Sequence, residues 1–382
     1  MQHNRKIIYL AGFLFSMPIA LTSYVNSSFL ENYISQYYVG ILYIIASAIT
    51  IVSMLEMHRI LTRLGNRFTV VFFSVLTFFS FLLLSFSTKG IVVISAFVLY
   101  FISTNFIIAS LDIFVEDFSK KSSIGTFRGL YLMVVSSAWV VAQMISGTVI
   151  TKSSYGGIYF LASGFMILVC VIFIFFLKDF KDPEYKRMPV LKTIETFAQN
   201  KKLSKIYIIN LILKFFFAWM IIYTPIYLHQ YVGFDWKQIG LIFTIMLLPF
   251  IILDFPLGKL SDRVGEKKML ALGFVISASA TLLIPFISSA TVWLWALILF
   301  TTRVGAATIE VMSESYFFKS VQEEDVGTTS FFRNTTPLSF ILAPLIATPI
   351  LFLVPSFEYL FFVLGIILLL GLFITIRLKD VR

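Results

Sequence analysis

The sequence predicts an all-α polytopic membrane protein whose twelve transmembrane helices form two pseudo-symmetric six-helix bundles. Composition is the first observation behind this. Of 382 residues, 59% are hydrophobic and only 13% charged, with a mean hydropathy of +0.92. A soluble domain carries about 25% charged residues, so lipid is the main solvent of this surface. The second observation is the run pattern: about 20 consecutive apolar residues cross about 30 Å of hydrocarbon, and twelve such runs occur. The third is an internal repeat. GKLSDRVGEKK at 258–268 has a worn copy, HRILTRLGNR, at 58–67, with Arg63 aligned to Arg263, Gly65 to Gly265 and, ahead of them, Gly40 to Gly240. A repeat of this kind sets the architecture before any single element does.

The runs follow in order, each bounded by polar residues. The first, 7–27, ends near MPIALTS, which looks like a signal cleavage region, but its length and the eleven runs behind it favour a retained span. Runs 37–57 and 68–88 flank the basic turn, and 90–115 starts after Lys89. The polar stretch TKSSYGG separates 126–150 from 157–177. Beyond the linker come 206–229, 237–257, 268–287, 291–316, 329–353 and 357–377. Residues 1–178 are therefore expected to form one bundle, 179–205 a linker and 206–382 the second bundle. The linker is rich in lysine, which suits an anionic headgroup surface. Its apolar positions Val190, Leu191, Ile194 and Phe197 fit a short amphipathic helix.

Basic residues set the orientation. With the N-terminus inside, the cytoplasmic side receives Arg59, Arg63, Arg67, Lys120, Lys121, Lys259, Arg263, Lys267, Lys268, the linker and the tail, while the outer side keeps only Lys89, Lys152 and Lys237. Both termini are expected in the cytoplasm of a prokaryotic cell, the chain lying in its inner membrane. The net charge of +10 resides in these turns, which argues against a nucleic-acid partner. The one cysteine, Cys170, lies within an apolar run, so neither an internal disulfide nor a cysteine metal site is expected. No metal and no cofactor are expected.

The repeated turn has a mechanical role. Gly258 allows close helix approach and Gly265 a tight turn. Asp262 suits the positive end of a neighbouring helix, and Arg263 a carboxylate nearby. Such contacts form a latch that opens when two halves rock apart. Six plus six spans, a basic linker and GKLSDRVGEKK resemble the major facilitator superfamily, whose signature loop joins its second and third helices; here the better copy stands in the second half. In the first half, His58 replaces the leading glycine and Thr62 the aspartate, so that latch is weaker or made by other groups. Residues 140–150 align with 341–351; the family's proton-antiporting drug exporters carry a glycine- and proline-rich signature here. Only Gly147 remains in the first half, while Pro337, Pro344 and Pro349 lie in the second. No sugar-, nitrate- or peptide-porter signature is present, and the subfamily stays open. The resemblance implies a monomer.

Ionisable side chains inside spans are candidates for function. Lys214 lies in the seventh run and Arg303 in the tenth, about 18 Å deep at 1.5 Å per residue. Glu310 and Glu314 share the Arg303 face, and Asp112 and Glu116 repeat that spacing in the fourth run. Glu116 and Glu314 stand where they would pair with Arg63 and Arg263 of the latch, and Glu56 and Asp254 where they would join such networks. Arg303 is expected either to pair with Glu310 or to receive an anionic solute. Asn26, Asn105 and Gln143 are weaker cavity candidates, with helix packing as the plainer role; the same holds for Asn210 and for Trp139, Trp219, Tyr223 and Tyr227 as an amphiphile-binding surface. His229 is expected to mark the interface.

These features predict a secondary transporter of a small organic, anionic or amphiphilic solute, working by alternating access, and not an enzyme. Its partners would be that solute, membrane lipids and a coupling proton or other ion. The chain has no phosphate-binding Gly-x-x-x-x-Gly-Lys-Ser/Thr loop and no His-Glu-x-x-His pair. The alternatives are proton-coupled export of hydrophobic cations, with Glu310 or Asp112 carrying the proton, and lipid scrambling.

Overall fold

The computed structural model describes residues 2–118, 124–176, 182, 195, 197–320 and 331–378. Its helices are α1 (Gln2–Ser23), α2 (Asn26–Leu30), α3 (Gln36–Leu55), α4 (Met57–Phe86), α5 (Gly90–Phe118), α6 (Ile124–Phe175), α7 (Lys201–Ile226), α8 (Trp236–Val264), α9 (Glu266–Leu283), α10 (Val292–Ser320), α11 (Thr335–Leu353) and α12 (Tyr359–Ile376). A π-helical turn, Tyr227–Tyr231, extends α7. Among the described residues, 11 helices are long and apolar enough to cross a membrane. One of these segments, Met133–Phe175, holds 43 residues, roughly 65 Å of helix and so twice what one crossing needs. Its backbone breaks at Ser154, at φ 62° and ψ −174°, inside the polar stretch TKSSYGG. It therefore supplies both of the crossings expected there, and the twelve predicted runs are accounted for.

The chain divides into two compact units. One comprises Met1–Arg187 together with Asp235–Leu241, the other Met188–Phe234 together with Ile242–Arg382. The beginning of α8 thus belongs with the first six runs: Gly147 of α6 abuts the Trp236 carbonyl, and a side chain at either Gly147 or Gly240 would collide with the opposing backbone. In the first unit α1 packs on α6, and α4 on α5 and α6; in the second α9 packs on α10 and α12, and α7 on α11.

Helix α4 shows how such a chain sorts its residues. Phe68, Phe72, Phe79 and Phe86 are exposed, while Thr69, Thr77 and Ser80 are buried. Lipid is as apolar as the side chains it meets, so burying phenylalanine gains little, whereas a small hydroxyl inside can satisfy itself on its own helix. Each does: Thr69 donates to the Gly65 carbonyl at 2.7 Å, Thr77 to Phe73 and Ser80 to Leu76 at 2.8 Å. In the second unit Gly273 and Gly305 let α9 and α10 touch backbone to backbone; a Cβ at Gly273 would lie 2.9 Å from the Gly305 carbonyl.

The sequence repeat reappears as a backbone repeat. Gly65 has φ 75° and ψ 160°, and Gly265 has φ 85° and ψ 148°, a left-handed region that side chains resist. Three boundaries differ from expectation. The first run is broken at Tyr24–Val25, giving α2 its own start; α7 begins at Lys201, capped by Asn200, whose Oδ1 accepts from Lys202 N–H at 3.0 Å; and α4 begins at Met57, ahead of the glycine turn. Of the linker, Val190, Leu191 and Ile194 lie outside the described residues. Phe197 is buried against Tyr207 of α7 and Phe331, with ring centroids 5.5 and 4.7 Å away.

Candidate functional site

Membrane helices confine charge to their packed faces, because a charge facing lipid costs several kcal/mol. In the second unit, one region gathers most of it. Lys214 Nζ of α7 donates to Glu310 Oε1 of α10 at 2.5 Å, and the two side chains keep 19% and 29% of their exposure. Asp254 of α8 lies within electrostatic reach of both Glu310 and Glu314, and Lys214 feels Glu314 as well as its direct partner. One carboxylate oxygen of Asp254 is buried with no hydrogen-bond partner among the described residues. Glu310 and Glu314 therefore both act on the Lys214 ammonium group, and Asp254 lies near those two carboxylates.

Arg303, 1% exposed, sits two turns from Glu310 on the same helix. Its guanidinium lies over the rings of Phe216 and Phe217, 4.8 and 5.4 Å from their centroids. Lys214 Nζ lies 5.3 Å from the Phe217 centroid, so one ring serves two cations. The sequence leaves Arg303 either paired with Glu310 or open to an anionic solute. In the structure Lys214 reaches from α7 across to Glu310 on the adjacent helix, and the Arg303 guanidinium lies over the aromatic face of α7. Asp254, expected in the latch networks, lies within electrostatic reach of Glu314, itself an expected latch member, and of Glu310.

The first unit buries neutral polar groups where the second buries charges. Asn26 Oδ1 accepts from the Tyr159 hydroxyl at 2.8 Å, and its Nδ2 reaches the Tyr100 hydroxyl at 3.5 Å. Thr22 and Tyr100 hydroxyls are 3.1 Å apart. Gln143 Nε2 donates to the Ala20 carbonyl at 2.7 Å, tying α6 to α1, and Asn105 Nδ2 donates to Phe101 within its own helix at 2.8 Å. The Asn26 and Gln143 bonds join different helices, whereas the Asn105 bond stays within α5. Asp112 is half-buried on α5. Trp219, Tyr223 and Tyr227 are likewise buried in the second unit; Tyr227 stacks on Phe357 with centroids 5.8 Å apart. His229 lies in the π-helical turn, its Nδ1 2.8 Å from the Phe234 carbonyl.

The two glycine turns are completed differently. At the first, the Asn66 N–H donates to Asp182 Oδ1 at 2.6 Å, and a Cβ on Gly65 would fall 2.6 Å from Asp182 Oδ2. Asp182 thus supplies, from beyond α6, a carboxylate at the positive start of a helix in the copy where Thr62 has replaced the aspartate. Arg67 meanwhile donates to the Phe173 and Ile174 carbonyls at the end of α6, at 3.0 and 2.6 Å, and Glu56 pairs with Arg59. At the second turn Glu266 follows Gly265 directly. It is buried and accepts from Ser315 Oγ at 3.0 Å and Lys319 Nζ at 2.7 Å, both on α10. Neither Asp182 nor Glu266 was singled out by sequence reasoning, although the acid one residue past the glycine was a visible signal for the latter. Arg63 is exposed; the side chains of Glu116, Asp262 and Arg263 lie outside the described residues. Gly258 is half-buried, with open space where a Cβ would project. Among the described residues no group of three or more histidine, cysteine, aspartate or glutamate side chains is arranged to hold a metal ion.

Comparison with known proteins agrees with this architecture. The sequence profile of the Major Facilitator Superfamily matches residues 8–238 and again 206–382. A curated relative, the "Uncharacterized MFS-type transporter YxaM" of Bacillus subtilis (strain 168), is 25% identical over 160 residues, which span 41% of this chain and 40% of the relative. Among solved structures, the nucleoside transporter NupG superposes with a TM-score of 0.74 at 11% identity, covering 98% of each chain. A bacterial homologue of the human lysosomal transporter Spinster, in an inward-facing and unoccupied conformation, gives 0.71 at 12% identity over 90% of this chain and 81% of that one. At such identities the structures share a fold alone. With its two matched halves, twelve crossings and paired glycine turns, the chain belongs to the Major Facilitator Superfamily.

Proposed function

We propose that this chain is a secondary transporter that moves a small organic solute across the prokaryotic inner membrane by alternating access, as a monomer with both termini in the cytoplasm. The solute is anionic or amphiphilic, and Lys214 is its cationic handle. The observation that carries this is the ion pair of Lys214 with Glu310. Two charged side chains that retain a fifth to a third of their exposure within membrane-spanning helices must face a polar space, since lipid would expel them. The aromatic ring of Phe217 beside the amine suits the apolar part of such a solute.

A thermal-shift screen of the purified protein against organic acids, followed by gradient-driven uptake in liposomes, tests this reading. Uptake of an anionic solute that is lost in Lys214→Met supports it. Uridine, taken up at an undiminished rate by Lys214→Met, would overturn the anionic assignment and leave the transporter. A second reading, export of hydrophobic cations with proton coupling, draws on Asp254 and Glu314, which add negative charge beside the pair. Uptake of a quaternary ammonium dye, abolished by Asp254→Asn, would favour it.

A further inference from the structure

One corner of the second unit gathers cations without gathering acids. Helix α7 starts with Lys201 and Lys202, both exposed, and Lys205 follows one turn later on the same side. Lys205 Nζ donates to the carbonyl of Arg377, the residue that ends α12, so the first turns of one helix are tied to the end of the other. The Arg377 guanidinium lies over the exposed Phe373 ring, 3.9 Å from its centroid. Among the described residues none of these four side chains meets a carboxylate; Glu195, ahead of Lys201, accepts from Gln199 Nε2 at 3.0 Å. Capping the end of α12 occupies one N–H of Lys205 and leaves two. Phe373 takes the face of the Arg377 guanidinium and leaves its donor edge. The backbone at the start of α7 is already satisfied, since Asn200 Oδ1 accepts from the Lys202 and Leu203 N–H groups at 3.0 and 3.3 Å. Recognition here falls to the side chains.

We infer that this corner, where the start of α7 meets the end of α12, binds the phosphodiester headgroup of an anionic phospholipid. What adjoins the cations makes the occupant a lipid and not a free anion. Leu369, Phe373 and Ile376 recur along one face of α12 and are all exposed, as is Ile208, one turn past Lys205 on α7. One end of that apolar stripe carries the four cations and the other runs into the membrane, which is how a headgroup stands above its acyl chain. The guanidinium edge matches the two unesterified oxygens of a phosphodiester as a fork against a fork. Lys205 keeps two N–H groups for the same oxygens, and Lys201 and Lys202 add charge one turn away. A lipid seated here joins α7 to α12 at the membrane surface, in the leaflet that faces the cytoplasm in the proposed orientation. The inference is independent of the solute.

Native mass spectrometry of the full-length protein in detergent, titrated with dioleoylphosphatidylglycerol or dioleoylphosphatidylcholine, reads the lipid retained. Wild type should hold phosphatidylglycerol at concentrations where phosphatidylcholine is lost. Each cation removed should weaken retention roughly fivefold, the effect of one lysine or arginine at an anionic surface. Lys201→Gln combined with Arg377→Gln should therefore cost about 25-fold, while Lys89→Gln, in the first unit, should leave retention unchanged. The double variant spares the Lys205 side chain that ties α7 to α12. If it still does not fold, Arg377→Lys keeps the charge without the fork and should lose part of the retention. Equal retention of the two lipids overturns the inference, as does undiminished retention in the double variant or in Arg377→Lys. A loss as large in Lys89→Gln overturns it too, because bulk charge would then suffice. Inorganic phosphate that displaces phosphatidylglycerol at equal concentration would make this a free-anion site and overturn the lipid assignment. Every arm reads binding alone, so the transporter reading stands or falls separately.

Discussion

The two units solve the problem of polarity inside a membrane bundle in opposite ways. The first holds a closed set of neutral groups, in which Asn26 and Thr22 meet the hydroxyls of Tyr159 and Tyr100. The second holds charges, with Lys214 against Glu310 and Asp254 and Glu314 beside them. A neutral network that satisfies itself has little to offer a solute, and its worth is in fixing helix against helix. A charged pair that stays partly open can change partners. On the proposed function, the difference would give scaffolding to the first unit and recognition to the second.

The largest effect expected from this contrast is at Lys214. Lys214→Met leaves Glu310 without its counter-charge, and removing one member of a buried pair costs roughly 3–5 kcal/mol; partial exposure puts this pair at the lower end. Thermal unfolding in detergent should show the loss, and adding Glu310→Gln should recover most of it. A double variant no more stable than the single one would break the comparison, since the charges would then not depend on each other.

Next comes Asn26→Leu, which strands the Tyr159 hydroxyl in the first unit. The expected loss is about 1–3 kcal/mol, with Tyr159→Phe restoring part of it. Solute affinity should not move; a change there would give the first unit a share in recognition. The first unit also has an exception to its neutrality. Burial pushes the carboxyl of Glu31, between α2 and α3, up to about 7 from 4.5. A carboxyl raised on folding adds stability in full below 4.5 and loses it as pH rises through 7. The melting temperature should therefore fall over that window, and Glu31→Gln should flatten the slope; an unchanged slope would remove Glu31 as the cause. Smallest is Asp182→Ala, expected to cost about 0.5–1 kcal/mol by removing a helix-start carboxylate. Faster hydrogen exchange at the Asn66 amide is its direct readout.

Much of this fold was legible in the sequence because lipid imposes a plain code. Apolar runs announced the crossings, and a repeated glycine announced two turns that prove to share a backbone conformation, at Gly65 and Gly265. Lys214, Glu310 and Arg303 were each conspicuous as charges in apolar runs. Their partnership was not, because 96 residues separate Lys214 from Glu310 and the rotation of α7 against α10 decides whether they face each other. The roles of Asn26 and Gln143 stayed open for the same reason: an amide in a span looks alike whether it meets a tyrosine, a carbonyl or a cavity. Asp182 was hidden differently, since it lies 116 residues from the Asn66 amide it receives and in a stretch that reads as linker.

Asp182 also bears on where the polypeptide could be cut. The first unit is not finished when α6 ends at Phe175, for the carboxylate that closes its glycine turn arrives seven positions later. The second is entered before α7, where Phe197 packs on Tyr207. A gene divided between Arg187 and Phe197 would leave each half its own anchor, and the two pieces, co-expressed, should reassemble. Division just after Phe175 would hand Asp182 to the wrong fragment.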